Sequence, residues 1–304
     1  MRPLLATIVL LASCEGGPPP PREFDGAQAL RYIETQLAFG PRIPGTPGHA
    51  SMAGWLDSLL RTRADTVVVQ RWTHVTRNGD SLPMVNLLAR FNPGATTRVL
   101  YLAHWDTRPH ADAPSSRDST LPVPGANDGG SGVAVLLGMA DALKKLPPET
   151  GVDLLFVDGE DYGSFDAGRD QDVLIGSRYY AANLPSGERP RFAVLFDMVG
   201  DRDLRIPREG NSVTGAPDVV EMVWAQAEKQ GHGDVFVSAD QGAITDDHVP
   251  LQQVGIRAID LIDLDFGPGN GWHHSPDDTI DKVSQASLQA VGDVAMAVVR
   301  TTKA

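Results

Sequence analysis

Short apolar, β-branched runs alternate with segments of helical period along this chain, and that alternation restricts the fold more than any other feature. The runs lie at residues 67–69, 85–91, 99–103, 154–157, 193–196, 235–237 and 259–264. Helical period fills the intervals at 27–39, 48–61, 131–146, 176–184, 218–229, 247–254 and 284–300. Strands separated by helices of this length imply a single α/β domain of three layers, α/β/α, around a mostly parallel twisted sheet. The first two runs are joined by the turn Asn78-Gly79-Asp80, which allows antiparallel edge strands. No internal repeat or second linker interrupts residues 25–304. A chain of 304 residues buries roughly three quarters of its unfolded surface in one core, so disulfides are not needed.

The start of the chain is different. Met1-Arg2-Pro3, an apolar run at 4–11 and small Ala12-Ser13 read as a signal peptide, residues 1–13, too short to span a bilayer. Cys14 follows and is the chain's single cysteine, so the segment resembles a bacterial lipoprotein signal cut before a lipidated Cys14. An ordinary secretory signal with an incidental cysteine is the alternative. Residues 14–24, rich in Gly and Pro, read as a tether. The expected location is therefore outside the cytoplasm, facing the periplasm or cell exterior, with membrane contact only through Cys14. A net charge of −13 has the wrong sign for a phosphate backbone, so no nucleic-acid partner is expected.

Open parallel sheets bind ligands at the carboxyl ends of their strands, and the polar residues of interest sit there. One run ends in His104-Trp105-Asp106, another in Asp158-Gly159-Glu160-Asp161, a third in Asp197. The loop 125–132, carrying Asp128, opens a helix, and Trp272-His273-His274 follows the last run. Imidazole and carboxylate suit Zn2+, and His104, Asp128, Asp161, Asp197 and His273 offer five such groups from separate loops. Asp106 is spaced to hold the second nitrogen of His104. Glu160 remains as a carboxylate able to move protons. Each residue alone has a plain structural reading as a turn, a cap or a solvated acid. Burying so many carboxylates together without a cation would be prohibitively costly.

The segments 103–109, 125–132, 158–163, 196–200, 245–250 and Trp272-His273, taken in order, resemble the zinc aminopeptidase family of the bacterial leucyl aminopeptidase type. Within it they are most similar to the branch of glutaminyl cyclases, the glutaminyl-peptide cyclotransferases. The resemblance implies a phosphorylase/hydrolase-like zinc exopeptidase architecture. It implies Asp128, Asp161 and His273 as zinc ligands, Glu160 as general base and acid, and Asp197 with Asp246 as the acidic pair bonded to it. Trp272 would form an aromatic wall of the substrate pocket. The activity implied is an acyltransferase reaction on peptide or protein N-termini, turning N-terminal Gln into pyroglutamate with release of ammonia at one zinc ion. The alternative is a two-zinc aminopeptidase, in which His104 and Asp197 join Asp128 around a second ion. A silent zinc-stabilised surface protein is a third reading, which Glu160 argues against. Asp161 stands where many relatives have Glu, and Phe165 lies near the place of a second pocket Trp in some cyclases.

Overall fold

The computed structural model describes residues 22–114, 116, 118–165, 172–184 and 189–303. The expected signal segment, Cys14 and the tether as far as Pro21 lie outside the described residues. The strands are β1 (Thr66–Val75), β2 (Ser81–Phe91), β3 (Arg98–His104), β4 (Gly151–Val157), β5 (Ala193–Asp197), β6 (Ile206–Arg208), β7 (Phe236–Asp240) and β8 (Ala258–Ile262). The helices are α1 (Gly26–Ala38), α2 (Pro47–Arg61), α3 (Gly130–Lys145), α4 (Ile175–Ala182), α5 (Gly210–Gly215), α6 (Pro217–Gln230), α7 (His248–Gln253) and α8 (Gln285–Thr301).

Six strands form one sheet in the order β1-β2-β4-β3-β5-β8. β4, β3, β5 and β8 run parallel, while β1 and β2 add an antiparallel hairpin at one edge, in register from Thr66↔Arg90 to Val75↔Ser81. Every residue of β3, β4, β5 and β8 is buried, because helices cover both faces and a continuous apolar run fits that setting. β1, on the edge, alternates between exposed and half-buried positions along most of its length. One face packs Ile33, Leu56, Leu136, Val223 and Val291 from α1, α2, α3, α6 and α8. The other packs Tyr180 of α4 and Leu251 of α7 against Leu88, Leu102 and Leu155.

The run at 235–237 does not join this sheet. It leads into β7, which pairs with β6 as a separate two-stranded parallel ribbon. β6 and α5 escape the periodicity argument because three residues containing Pro207 and the six residues Gly-Asn-Ser-Val-Thr-Gly carry no usable period. The expected last run stops at Ile262, which frees Leu264 to face a cavity.

One glycine fixes where the site forms. A Cβ on Gly132 would lie 2.2 Å from the carbonyl oxygen of Phe196, so the first turn of α3 rests directly on β5. That approach brings Asp128, just before α3, to the end of β3 and β5.

Candidate active site

His104 and Asp197 are the last residues of β3 and β5, Glu160 and Asp161 follow β4, and Asp128 precedes α3. All five are less than a tenth exposed. His104 Nε2 lies 3.0 Å from Asp128 Oδ1 and 3.3 Å from Asp197 Oδ1. The other Asp128 oxygen, Oδ2, is 3.8 Å from His273 Nε2 and 3.7 Å from His274 Nε2. The Asp128 carboxylate thus stands between two groups able to take a cation, His104-Asp128-Asp197 and Asp128-His273-His274.

The backbone that carries these side chains is tied down by buried carboxylates. Asp106 accepts the amides of Glu160 and Asp161, each at 3.1 Å. The same carboxylate lies 3.6 Å from His104 Nδ1, within ion-pair distance, so Asp106 holds the β4 loop and also faces the imidazole. Asp278 does the same for the Asn127 and Asp128 amides, at 2.8 and 3.1 Å. Between them, fully buried Arg42 donates to the carbonyls of Trp105, Pro124 and Gly125. None of these partnerships follows from sequence spacing.

Asp161 is held by Arg108, whose guanidinium bonds its carboxylate and backbone carbonyl and also grips Asp112. His274 Nδ1 is 3.0 Å from Asp112 and its Nε2 3.4 Å from Asp161. Burial works to lower the His274 pKa, but the Asp161 charge and hydrogen bonds with Asp112 and Asp161 push it up to about 10. Its neighbour behaves oppositely. Burial, reinforced by the His274 charge, pushes His273 down to about 4, leaving a neutral ring. Asn270 Nδ2, 3.0 Å from His273 Nδ1, steadies that ring.

The donors fit a divalent cation of the zinc type. Asp128 Oδ2 and Asp161 Oδ2 are buried without a hydrogen-bond partner, and a neutral imidazole faces Asp128. Glu160 stays beside this group with its pKa well above the usual carboxylate range. Burial is the main cause; the His104 charge opposes it and the Asp161, Asp246 and Asp247 charges add to it. Asp246 is itself pushed up to about 7 by burial and by Asp197.

Glu160, Asp128, Asp197, Asp246 and His273 open into a cavity of about 500 Å³ whose apolar walls are Phe165, Met198, Ile244, Ile262 and Leu264. Trp272, the expected aromatic wall, belongs to the same apolar cluster as Met198, Ile262, Ile244 and Leu264 of that lining. Its ring packs edge-on to Phe266 at 5.5 Å, close against Gly267, with Lys282 Nζ 5.0 Å from its centroid. Phe165 is on the cavity itself.

Residues 86–299 match the sequence pattern of peptidase family M28. The chain belongs to peptidase family M28. Among M28-type proteins it is 32% identical over 207 residues to aminopeptidase YwaD of Bacillus subtilis, covering 66% of this chain but 40% of that enzyme's length. A Bacteroides thetaiotaomicron glutaminyl cyclase, solved bound to N-acetylhistamine, superposes with a TM-score of 0.88 at 34% identity, over 93% of this chain and 99% of that one. A Zn-dependent exopeptidase from Parabacteroides distasonis gives a TM-score of 0.86 at 33% identity, over 92% and 99%. The M28 chain therefore has the mixed-sheet α/β fold of zinc exopeptidases and glutaminyl cyclases, and carries a candidate metal centre where the motifs converge.

Proposed function

We propose that this protein is a zinc-dependent glutaminyl-peptide cyclotransferase acting on peptides with N-terminal Gln. The observation that carries this reading is the placement of Glu160, buried and raised in pKa, in the lining of a largely apolar cavity sized for a small ligand. Likeness to a bacterial glutaminyl cyclase over nearly the whole chain supports it.

Asp128, Asp161 and His273 would hold the zinc ion. Bound there, zinc supplies Lewis-acid polarisation of the side-chain carbonyl of the substrate Gln. Glu160 takes one proton from the α-amine as its nitrogen forms the new bond to that carbonyl carbon. It returns the proton to the departing amide nitrogen, which leaves as ammonia. Nucleophile and electrophile belong to one residue, so the cavity's task is to hold the folded side chain and exclude water. Asp197 and Asp246 face the same cavity, and the charges of Asp246, Asp161 and Asp247 favour a protonated Glu160.

A two-zinc aminopeptidase is the second reading, favoured by the His104-Asp128-Asp197 group. In that group His104 Nε2 lies 3.0 Å from Asp128 and 3.3 Å from Asp197, so the same Asp128 carboxylate could serve one ion or two. For residues 1–14 we infer export and lipid anchoring at Cys14, from the signal pattern.

Mass spectrometry of a short Gln-initiated peptide incubated with the zinc-loaded protein tests the assignment. Loss of one ammonia at unchanged peptide length, well above the spontaneous rate, is expected. Loss of the first residue would overturn it in favour of the aminopeptidase.

A further inference from the structure

The cavity wall made by Ile244, Thr245 and Asp246 belongs to a segment, residues 241–247, with no helix or strand of its own. Something outside it must hold it in place, and the contacts converge on one carboxylate. Glu209 Oε1 accepts the Ile244 amide at 2.8 Å and the Asn211 amide at 2.7 Å. Its Oε2 accepts the Ser212 amide and hydroxyl, each at 2.6 Å, and stands 3.3 Å from His248 Nε2. The next polar side chain completes the grip: Asn211 Nδ2 donates to the Ile244 carbonyl at 2.7 Å. One residue of the wall, Ile244, is thereby held at both its N–H and its C=O from the start of α5.

The backbones are also in close contact. Gly210 donates its amide to the Gly242 carbonyl, and a Cβ there would meet the Ala243 nitrogen at 2.8 Å. Glu209 is fully buried, outside the cavity and in none of the zinc-ligand loops. A buried carboxylate with four hydrogen-bonded donors is a costly group to lose, because each donor left alone keeps its desolvation penalty.

Resting on the site reading above, we propose that Glu209, with Asn211, is a positioning residue that sets the Ile244-Asp246 wall and thereby the fit of the substrate's first side chain beside Glu160. It acts through Ile244 and His248 and touches no reacting atom.

The test uses the zinc-loaded protein with Glu209→Gln and, separately, Asn211→Ala. The second substitution leaves the Glu209 carboxylate and its bond with Ser212 in place, so the question survives if the first variant fails to fold. Kinetics are read below each variant's Tm, normalised to bound zinc, with whichever of a Gln- or Leu-initiated peptide the wild type turns over. Failure of the cyclase reading then leaves this test standing. The expected result is unchanged zinc stoichiometry with kcat/KM lowered by about tenfold, mostly through KM. Hydrogen exchange should find the Ile244 amide protected in the wild type and exchanging about tenfold faster in Asn211→Ala. A kcat/KM within about twofold of wild type overturns the proposal even if Tm falls, because a merely structural role moves stability alone. An unprotected Ile244 amide in the wild type overturns it without any turnover being needed.

Discussion

The guanidinium of Arg108 bonds both the carboxylate and the backbone carbonyl of Asp161, so this candidate ligand already carries a cation on one oxygen and presents the other, Oδ2, unpaired. Arg108→Gln removes that support and leaves His274 as the charged partner of Asp161. Partners of this kind to a ligand typically contribute 10–100-fold in metal affinity, and a loss of about that size is expected, read by competition with a chromophoric chelator. An unchanged affinity would show that Asp161 does not ligate.

Asp106→Asn leaves one of the Glu160 and Asp161 amides without its acceptor. The expected cost is about 1–3 kcal/mol of stability, measured by urea unfolding. Activity should fall as well, since the displaced loop carries Glu160, the proposed proton carrier.

Glu160→Gln keeps the shape of the side chain and removes its ability to take a proton. Turnover should drop by about 10²–10⁴-fold while metal content stays at the wild-type level. Full activity in this variant would contradict the assigned role.

The Glu209 carboxyl gives a pH signature. Burial alone would raise it, but hydrogen bonds with His248, Ser212 and the Asn211 and Ile244 amides hold it down at about 2, from 4.5. A depressed folded-state pKa contributes stability that is present above 4.5 and lost as pH falls toward 2. The stability gap between wild type and Glu209→Gln should therefore include about 3 kcal/mol at pH 6 that shrinks by pH 3. A gap independent of pH would mean the carboxylate is not the stabilised form.

The parts of this molecule legible in the sequence are those whose physics is local. β3 and β4 announce themselves because strands covered on both faces are apolar throughout, and the polar residues that end them mark the rim of the site. Arg42, Glu209 and Asp278 leave no signal in the sequence, because the contacts that matter reach far along the chain: Asp278 holds an amide 151 residues away and Glu209 one 35 residues away. Only half of the part played by Asp106 is local: two-residue spacing points to His104, but says nothing of the Glu160 amide 54 residues on. Trp272 is expected as an aromatic wall only through the resemblance, and its edge-on packing with Phe266 has no local signal in the sequence. A signal for His274 existed in the His-His pair, yet only the Asp112 and Asp161 contacts distinguish its charged role from that of His273.

The seating of Gly132 on the Phe196 carbonyl has a wider consequence. With Asp106, Asp278 and Arg42 it immobilises the half of the cleft that would carry the metal and the proton carrier. The opposite wall at Ile244-Thr245-Asp246, which has no helix or strand of its own, hangs on a few side-chain clamps. The two halves can therefore change at different speeds: residues of the clamped wall can be exchanged to admit a different guest while the reacting groups keep their spacing. A scaffold divided in this way is suited to supporting more than one reaction with a single set of acids and imidazoles.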